Sequence, residues 1–170
     1  DHRTSNNIAN APAFFTSKNS YNHTLTIKDW ENQFTSILRS NVEPKIKTLN
    51  LNISKRTNWT LQKNSDQTDN PDDAFCQMCT SEIQTTEHQY ISCPYAVKYW
   101  ELAQKITHLV SDYTIPLKPS SILFNHIPIR EKHVKQFVIE IILATKYIIY
   151  RNCLDVQDSG SSCRSPSMRE

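Results

Sequence analysis

The sequence predicts a mainly α fold: a helical domain with an embedded Cys-Cys-His-Cys knuckle and flexible N- and C-terminal tails. Three observations predict it. Apolar residues recur at helical spacing in several separate stretches. Only one Gly occurs in 170 residues, too few for the tight turns of βα units or of a β-sandwich. A compact Cys/His array interrupts the helical pattern in the middle of the chain.

Residues 1–24 are rich in Asn, Ser and Thr without a period, and read as a flexible lead-in. The helical body is expected over residues 25–154, with the knuckle at 75–94. In Ile27–Ser40, the apolar residues Ile27, Trp30, Phe34, Ile37 and Leu38 line one helix face. Thr26 is the expected N-cap, with Asp29 in the first turn. Pro44 separates this helix from the next segment.

Residues 45–62 fit two patterns. Ile46, Leu49, Ile53 and Trp59 suit a helix, while the alternation Thr-Leu-Asn-Leu-Asn-Ile-Ser suits a strand; helix is preferred. Residues 63–73 are polar and rich in turn formers, and read as a linker. After the array, Pro94 suits the first turn of a helix whose apolar side is Val97, Trp100, Ile106, Leu109 and Val110. Residues 112–130, with three prolines, read as irregular. A long helix follows from Glu131 to about Leu154, its face formed by Val134, Phe137, Val138, Ile141, Ile142, Ala144, Ile148 and Ile149. Residues 155–170 turn to Ser, Arg and Pro, and read as a disordered tail.

Composition excludes several function classes. The single Gly removes any Gly-rich phosphate loop. A formal charge of +2 implies no strong polyanion affinity from net charge alone. Glu140 and Lys146 interrupt the longest apolar segment and argue against a membrane span. The chain starts at Asp1 without an apolar leader, and reads as a fragment of something longer. The sequons at Asn22, Asn52 and Asn58 carry little weight in a chain this rich in Asn and Thr. Five cysteines, an odd number, fit a reducing compartment better than a disulfide framework.

Three of those cysteines and one histidine form the motif Cys76-x2-Cys79-x8-His88-x4-Cys93. Three thiols and an imidazole in one short stretch match a closed tetrahedral Zn²⁺ site, with no coordination position left for substrate. Cys153 and Cys163 stand outside it. Thr85, Thr86 and Glu87 either set a turn or orient the imidazole, or else form a solvated loop. Tyr90 either packs on the knuckle or stacks on a base, and packing is preferred. The arrangements of a metalloprotease, a nucleotide deaminase and a thioredoxin-like redox site are all absent. Lys45, Lys47, Lys55, Arg56 and Lys63, interleaved with Trp59, make the preceding stretch locally basic. They suit a phosphate backbone of RNA or DNA, or a solvated helix face.

The run from Phe75 to Trp100 resembles the zinc-binding domain near the C-terminus of non-LTR (LINE-type) retrotransposon reverse transcriptases. Cys76, Cys79, Glu87, His88, Cys93, Pro94 and Trp100 match that pattern in order. Residues 141–153, ending in Arg151 and Asn152, are similar to the apolar helix that follows it, and Trp30 and Phe34 sit where the family has an earlier helix. The 45–62 stretch departs from the family, which has a more apolar helix there. The resemblance implies a non-catalytic part of a polyprotein, acting with the rest of the reverse transcriptase and with RNA or DNA during target-primed reverse transcription. An intracellular, nuclear location follows from that role. The alternative is a zinc-stapled protein-interaction module that does not touch nucleic acid. No polymerase Asp-Asp motif or endonuclease segment lies in the sequence.

Overall fold

A computed structural model describes residues 26–55, 57, 58, 60–68, 70 and 74–159. The architecture is helical: α1 (Ile27–Arg39), α2 (Pro44–Ser54), α3 (Leu61–Thr68), α4 (Pro94–Val110), α5 (Pro119–Ile122) and α6 (Lys132–Ser159). A five-residue π-helical turn, His88–Ser92, joins the knuckle to α4. Among the described residues the β pairing is a single bridge, Phe75 to Ile83. The expected lead-in 1–24, Arg56, Trp59 and Cys163 lie outside the described residues.

Helix α1 starts as its sequence requires. The Asp29 N–H donates to Thr26 Oγ1 at 3.2 Å, and Asp29 Oδ2 accepts the Thr26 N–H at 2.9 Å, closing a capping box. Pro44 occupies the first turn of α2, where its missing N–H costs nothing. The 45–62 stretch is helical as far as Ser54, but one helix does not span it. The chain breaks there and restarts as α3. The expected linker at 63–73 is therefore corrected in its first part, since residues 63–68 belong to α3. Gln84, a knuckle residue, accepts the Leu61 N–H on its Oε1 at 3.1 Å. That long-range bond satisfies an orphan donor at the start of a helix too polar to form on propensity alone.

Helix α6 is the spine, and α1, α2, α4 and the π turn pack against it. Val138, Ile139, Ile142, Leu143 and Ile149 are buried on it, and Trp30, Ile37, Leu49 and Ile53 come in from α1 and α2. It extends to Ser159, so residues 155–159 are helical rather than tail. Residues 160–170 lie outside the described set. Two side-chain bonds tie the α1–α2–α6 junction together: Gln33 Nε2 donates to Ser54 Oγ at 2.6 Å, and Asn50 Nδ2 to the Leu143 carbonyl at 3.3 Å. No described helix is long and apolar enough to cross a membrane.

The buried side of α4 differs from the expected one. It is Ala96, Trp100, Ala103 and Thr107, while Ile106, Leu109 and Val110 face outward, Leu109 being 85% exposed. Small residues on the inner side leave room for Trp100 and let the helix approach α6 closely.

Candidate metal centre

The knuckle begins with a short two-stranded approach. The Cys76 N–H donates to the Glu82 carbonyl at 2.7 Å, and the Gln84 N–H to the Ala74 carbonyl at 2.8 Å. The pattern alternates, turning Ala74, Cys76 and Gln84 inward while Phe75 and Ile83 face out. Between the strands the chain reverses through Met78, Cys79 and Thr80, where the Thr80 N–H donates to the Cys76 carbonyl at 2.6 Å. Thr80 holds φ at 57°, a left-handed conformation uncommon for a β-branched residue. This reversal carries Cys79 back beside Cys76.

The π turn supplies the other two ligands. The His88 N–H donates to Thr85 Oγ1 at 2.9 Å, so Thr85 sets the turn, one of the roles open to it from sequence. Thr86 instead lies 3.4 Å from Asn58, away from the imidazole. The Cys93 N–H donates to the His88 carbonyl at 2.8 Å, and Pro94 then starts α4. Trp100 Nε1 donates to the Tyr90 carbonyl at 2.7 Å and ties α4 to the turn. Tyr90 is fully buried, which removes base stacking and leaves packing as its role.

The ligand atoms of Cys76, Cys79, His88 and Cys93 all lie within 4.8 Å of one another. A tetrahedral zinc with Zn–S of about 2.3 Å and Zn–N of about 2.0 Å sets ligand-to-ligand edges of roughly 3.5–3.8 Å. The sulfurs of Cys76 and Cys93 are 4.0 Å apart, and Cys79 Sγ is 3.2 Å from His88 Nε2. The residues therefore fit one tetrahedral ion, and three thiols with an imidazole suit zinc rather than a hard oxygen-seeking cation. Such an ion would be held by protein ligands alone and would supply cross-linking, not chemistry.

The imidazole is oriented by a residue the sequence reading missed. His88 Nδ1 lies 2.8 Å from Glu82 Oε2, while Nε2 faces Cys79. A proton on Nδ1, donated to the carboxylate, leaves the Nε2 lone pair for a metal. Glu87, also a candidate for this role from sequence, sits at the N-cap of the π turn. No spacing rule flags Glu82, because the reversal at Thr80 brings it there.

The sulfurs of Cys76 and Cys93 face each other at 4.0 Å. The hydrogen bond from Cys93 holds the Cys76 thiol well below the usual thiol range, and pairing with Cys76 together with burial pushes Cys93 up. A thiolate is thus already favoured at one ligand position. Met78 anchors the loop to the spine: Cys153 Sγ lies 2.9 Å from its sulfur, giving Cys153 a place in the core beneath the knuckle.

Four of the five basic candidates lie among the described residues. Lys45 pairs with Glu43 at 2.8 Å and lies 5.5 Å above the Tyr147 ring. Lys47 donates to the Leu38 carbonyl at 2.9 Å and Lys63 to the Asn58 carbonyl at 2.8 Å. Lys55 is exposed at the end of α2.

A helical body closed by a four-ligand Cys/His cluster defines a module with a candidate structural metal site. The model of one family, zinc-binding in reverse transcriptase, matches residues 15–100, and the chain belongs to that family. The match spans all four ligands and ends at Trp100, inside α4. Neither a curated protein nor a solved structure matches this chain.

Proposed function

We propose that this chain is the non-catalytic zinc module of a non-LTR retrotransposon reverse transcriptase, from the C-terminal region of the polyprotein. It assists RNA or DNA binding during target-primed reverse transcription, in the nucleus. The observation that carries this reading is the closed four-ligand cluster in a chain of the reverse-transcriptase zinc-binding family. A shell filled by protein ligands leaves no position for a substrate. The zinc then fixes the knuckle against α4 and α6, and the basic surface at the two ends of α2 meets the phosphate backbone.

A second reading, a module that binds only other parts of the polyprotein, is favoured by the outward Leu102, Ile106 and Leu109 of α4. Charge reversal separates the two. Lys45→Glu, Lys47→Glu, Lys55→Glu and Arg56→Glu are combined, and zinc content and helicity verify the fold. Binding of single-stranded RNA and DNA is followed by anisotropy across a salt series. The first reading expects binding to collapse, with up to about 0.7–0.9 of salt slope lost for each phosphate contact removed. Unchanged binding, or none in the unaltered chain at low salt, supports the second.

A further inference from the structure

Two buried amides wall one pocket of this molecule and leave part of their hydrogen-bonding capacity unused. The pocket, about 80 Å³ and partly open to solvent, lies between α1, the segment after α5, and α6. Gln33 and Ser36 line it from α1, Phe124 and Asn125 from the middle segment, and Lys135 and Ile139 from α6. Gln33 and Asn125 are each 4% exposed. Gln33 Nε2 donates to Ser54 Oγ at 2.6 Å and to the Leu123 carbonyl at 3.5 Å, and its Oε1 has no partner among the described residues. Asn125 Oδ1 accepts from the Lys146 amine at 3.0 Å, and its Nδ2 likewise has no partner. Each amide is thus anchored by one end, which leaves an acceptor on one wall and a donor on another. Buried amide atoms without partners are rare in folded chains, and a group carrying both an N–H and an acceptor satisfies the two together.

The rest of the lining selects that group. Phe124 is half-buried, and Trp30 packs edge-on against its ring at 5.2 Å. Nucleobases stack on such a ring. Lys135 supplies a half-buried cation, Lys132 stands one turn earlier, and the first turn of α6 holds no acid. Asp29 and His126 also line the pocket, but the Asp29 carboxylate is committed to the cap of α1, where it accepts the Thr26 N–H and hydroxyl. An apolar side chain in this pocket leaves both amides unpaired, and a bare anion offers Gln33 no donor. The room is roughly half the 150 Å³ of a cavity that encloses benzene, so a base enters edge first with its ring at the mouth, against Phe124.

We propose that this pocket takes the Watson–Crick edge of one nucleotide: an N–H of the base donates to Gln33 Oε1, its neighbouring acceptor takes the Asn125 Nδ2 proton, and Lys135 meets the phosphate. The two amides turn slightly to do so, because bulk water does not reach either unpaired atom. The nucleotide is an unstacked residue of a bound strand or a free nucleotide, and the first source rests on the nucleic-acid reading above. Gln33 links the pocket to the basic surface: its partner Ser54 is the last residue of α2, next to the exposed Lys55.

The whole zinc-loaded chain, ¹⁵N-labelled, is titrated with uridine 5′-monophosphate, uridine, inorganic phosphate and a hexauridylate. The monophosphate should shift the side-chain amide signals of Gln33 and Asn125, with backbone signals of residues 32–36 and 123–127. Asn125→Asp keeps the acceptor for Lys146 and suits the left-handed backbone there (φ 49°). It removes the donor, and should weaken the monophosphate about tenfold or more with zinc content and helicity unchanged. Lys135→Gln should weaken the monophosphate and leave uridine within about twofold, since uridine carries no phosphate. The same shifts with hexauridylate assign the pocket to a strand, and shifts with the monophosphate alone assign it to a free nucleotide; both bear out the pocket. Hexauridylate binding elsewhere while neither it nor the monophosphate moves the Gln33 and Asn125 signals overturns the pocket and leaves the nucleic-acid reading standing. Hexauridylate binding nowhere overturns that reading, and the pocket as well if the monophosphate leaves these signals unmoved. Equal shifts with inorganic phosphate, or an Asn125→Asp chain that binds as well as the unaltered one, also overturn the proposal.

Discussion

Lys146 gives a sharp test of the core. It lies on the spine helix, fully buried, and its amine donates to Asn125 Oδ1 at 3.0 Å. Burial lowers its pKa from 10.5 to about 7. The folded chain therefore binds fewer protons than the unfolded chain between those two values. Stability must rise with pH across that window and fall back as pH drops towards 7. At pH 7 the penalty for discharging the amine is on the order of 4 kcal/mol, and at pH 9 roughly 2 kcal/mol. Lys146→Met removes the penalty but leaves Asn125 Oδ1 unpaired, at a cost of about 1–3 kcal/mol. The variant should be more stable at pH 7 by about 1–3 kcal/mol. Its stability should also lose up to about 1.4 kcal/mol per pH unit of slope between pH 7 and 9. Urea unfolding of zinc-loaded protein at pH 7, 8 and 9 reads both quantities. A variant that is destabilised and keeps the slope of the unaltered chain would refute the buried, discharged lysine.

Two further substitutions probe the staple. Glu82→Gln keeps the shape but weakens the acceptor for His88 Nδ1, and zinc affinity in a competition titration should fall about 10- to 100-fold with helicity retained. Trp100→Ala removes a buried ring and its bond to the Tyr90 carbonyl, and urea unfolding should show a loss of about 3–5 kcal/mol; a loss under about 1 kcal/mol would mean that α4 and the knuckle are not coupled through this residue.

The ligand set was legible because spacing within a short stretch restricts which side chains can converge, and Cys76, Cys79, His88 and Cys93 do converge. Helices α1 and α4 were legible from local chemistry: Thr26 with Asp29 at one start, Pro94 at the other. What could not be read depended on distant partners. Helix α3 is polar, and a bond to Gln84 across the knuckle supports its start. The inner side of α4 is set by close approach to α6, which favours Ala96 and Ala103 over the larger Ile106 and Leu109. Glu82 reaches His88 only because Thr80 adopts a left-handed conformation, for which a Gly would have been the usual signal. Lys146 reads as a solvated charge in sequence, and only the packing of the 123–127 segment against α6 buries it.

The central claim is that Cys76, Cys79, His88 and Cys93 hold one zinc ion that staples the knuckle to the helical body. Metal analysis of the purified chain, combined with thermal unfolding before and after chelation, tests it most directly. The account predicts about one zinc per chain and a large loss of cooperative unfolding once the metal is removed, because the segment has little apolar material of its own. Metal content near zero in protein that still unfolds cooperatively would contradict it.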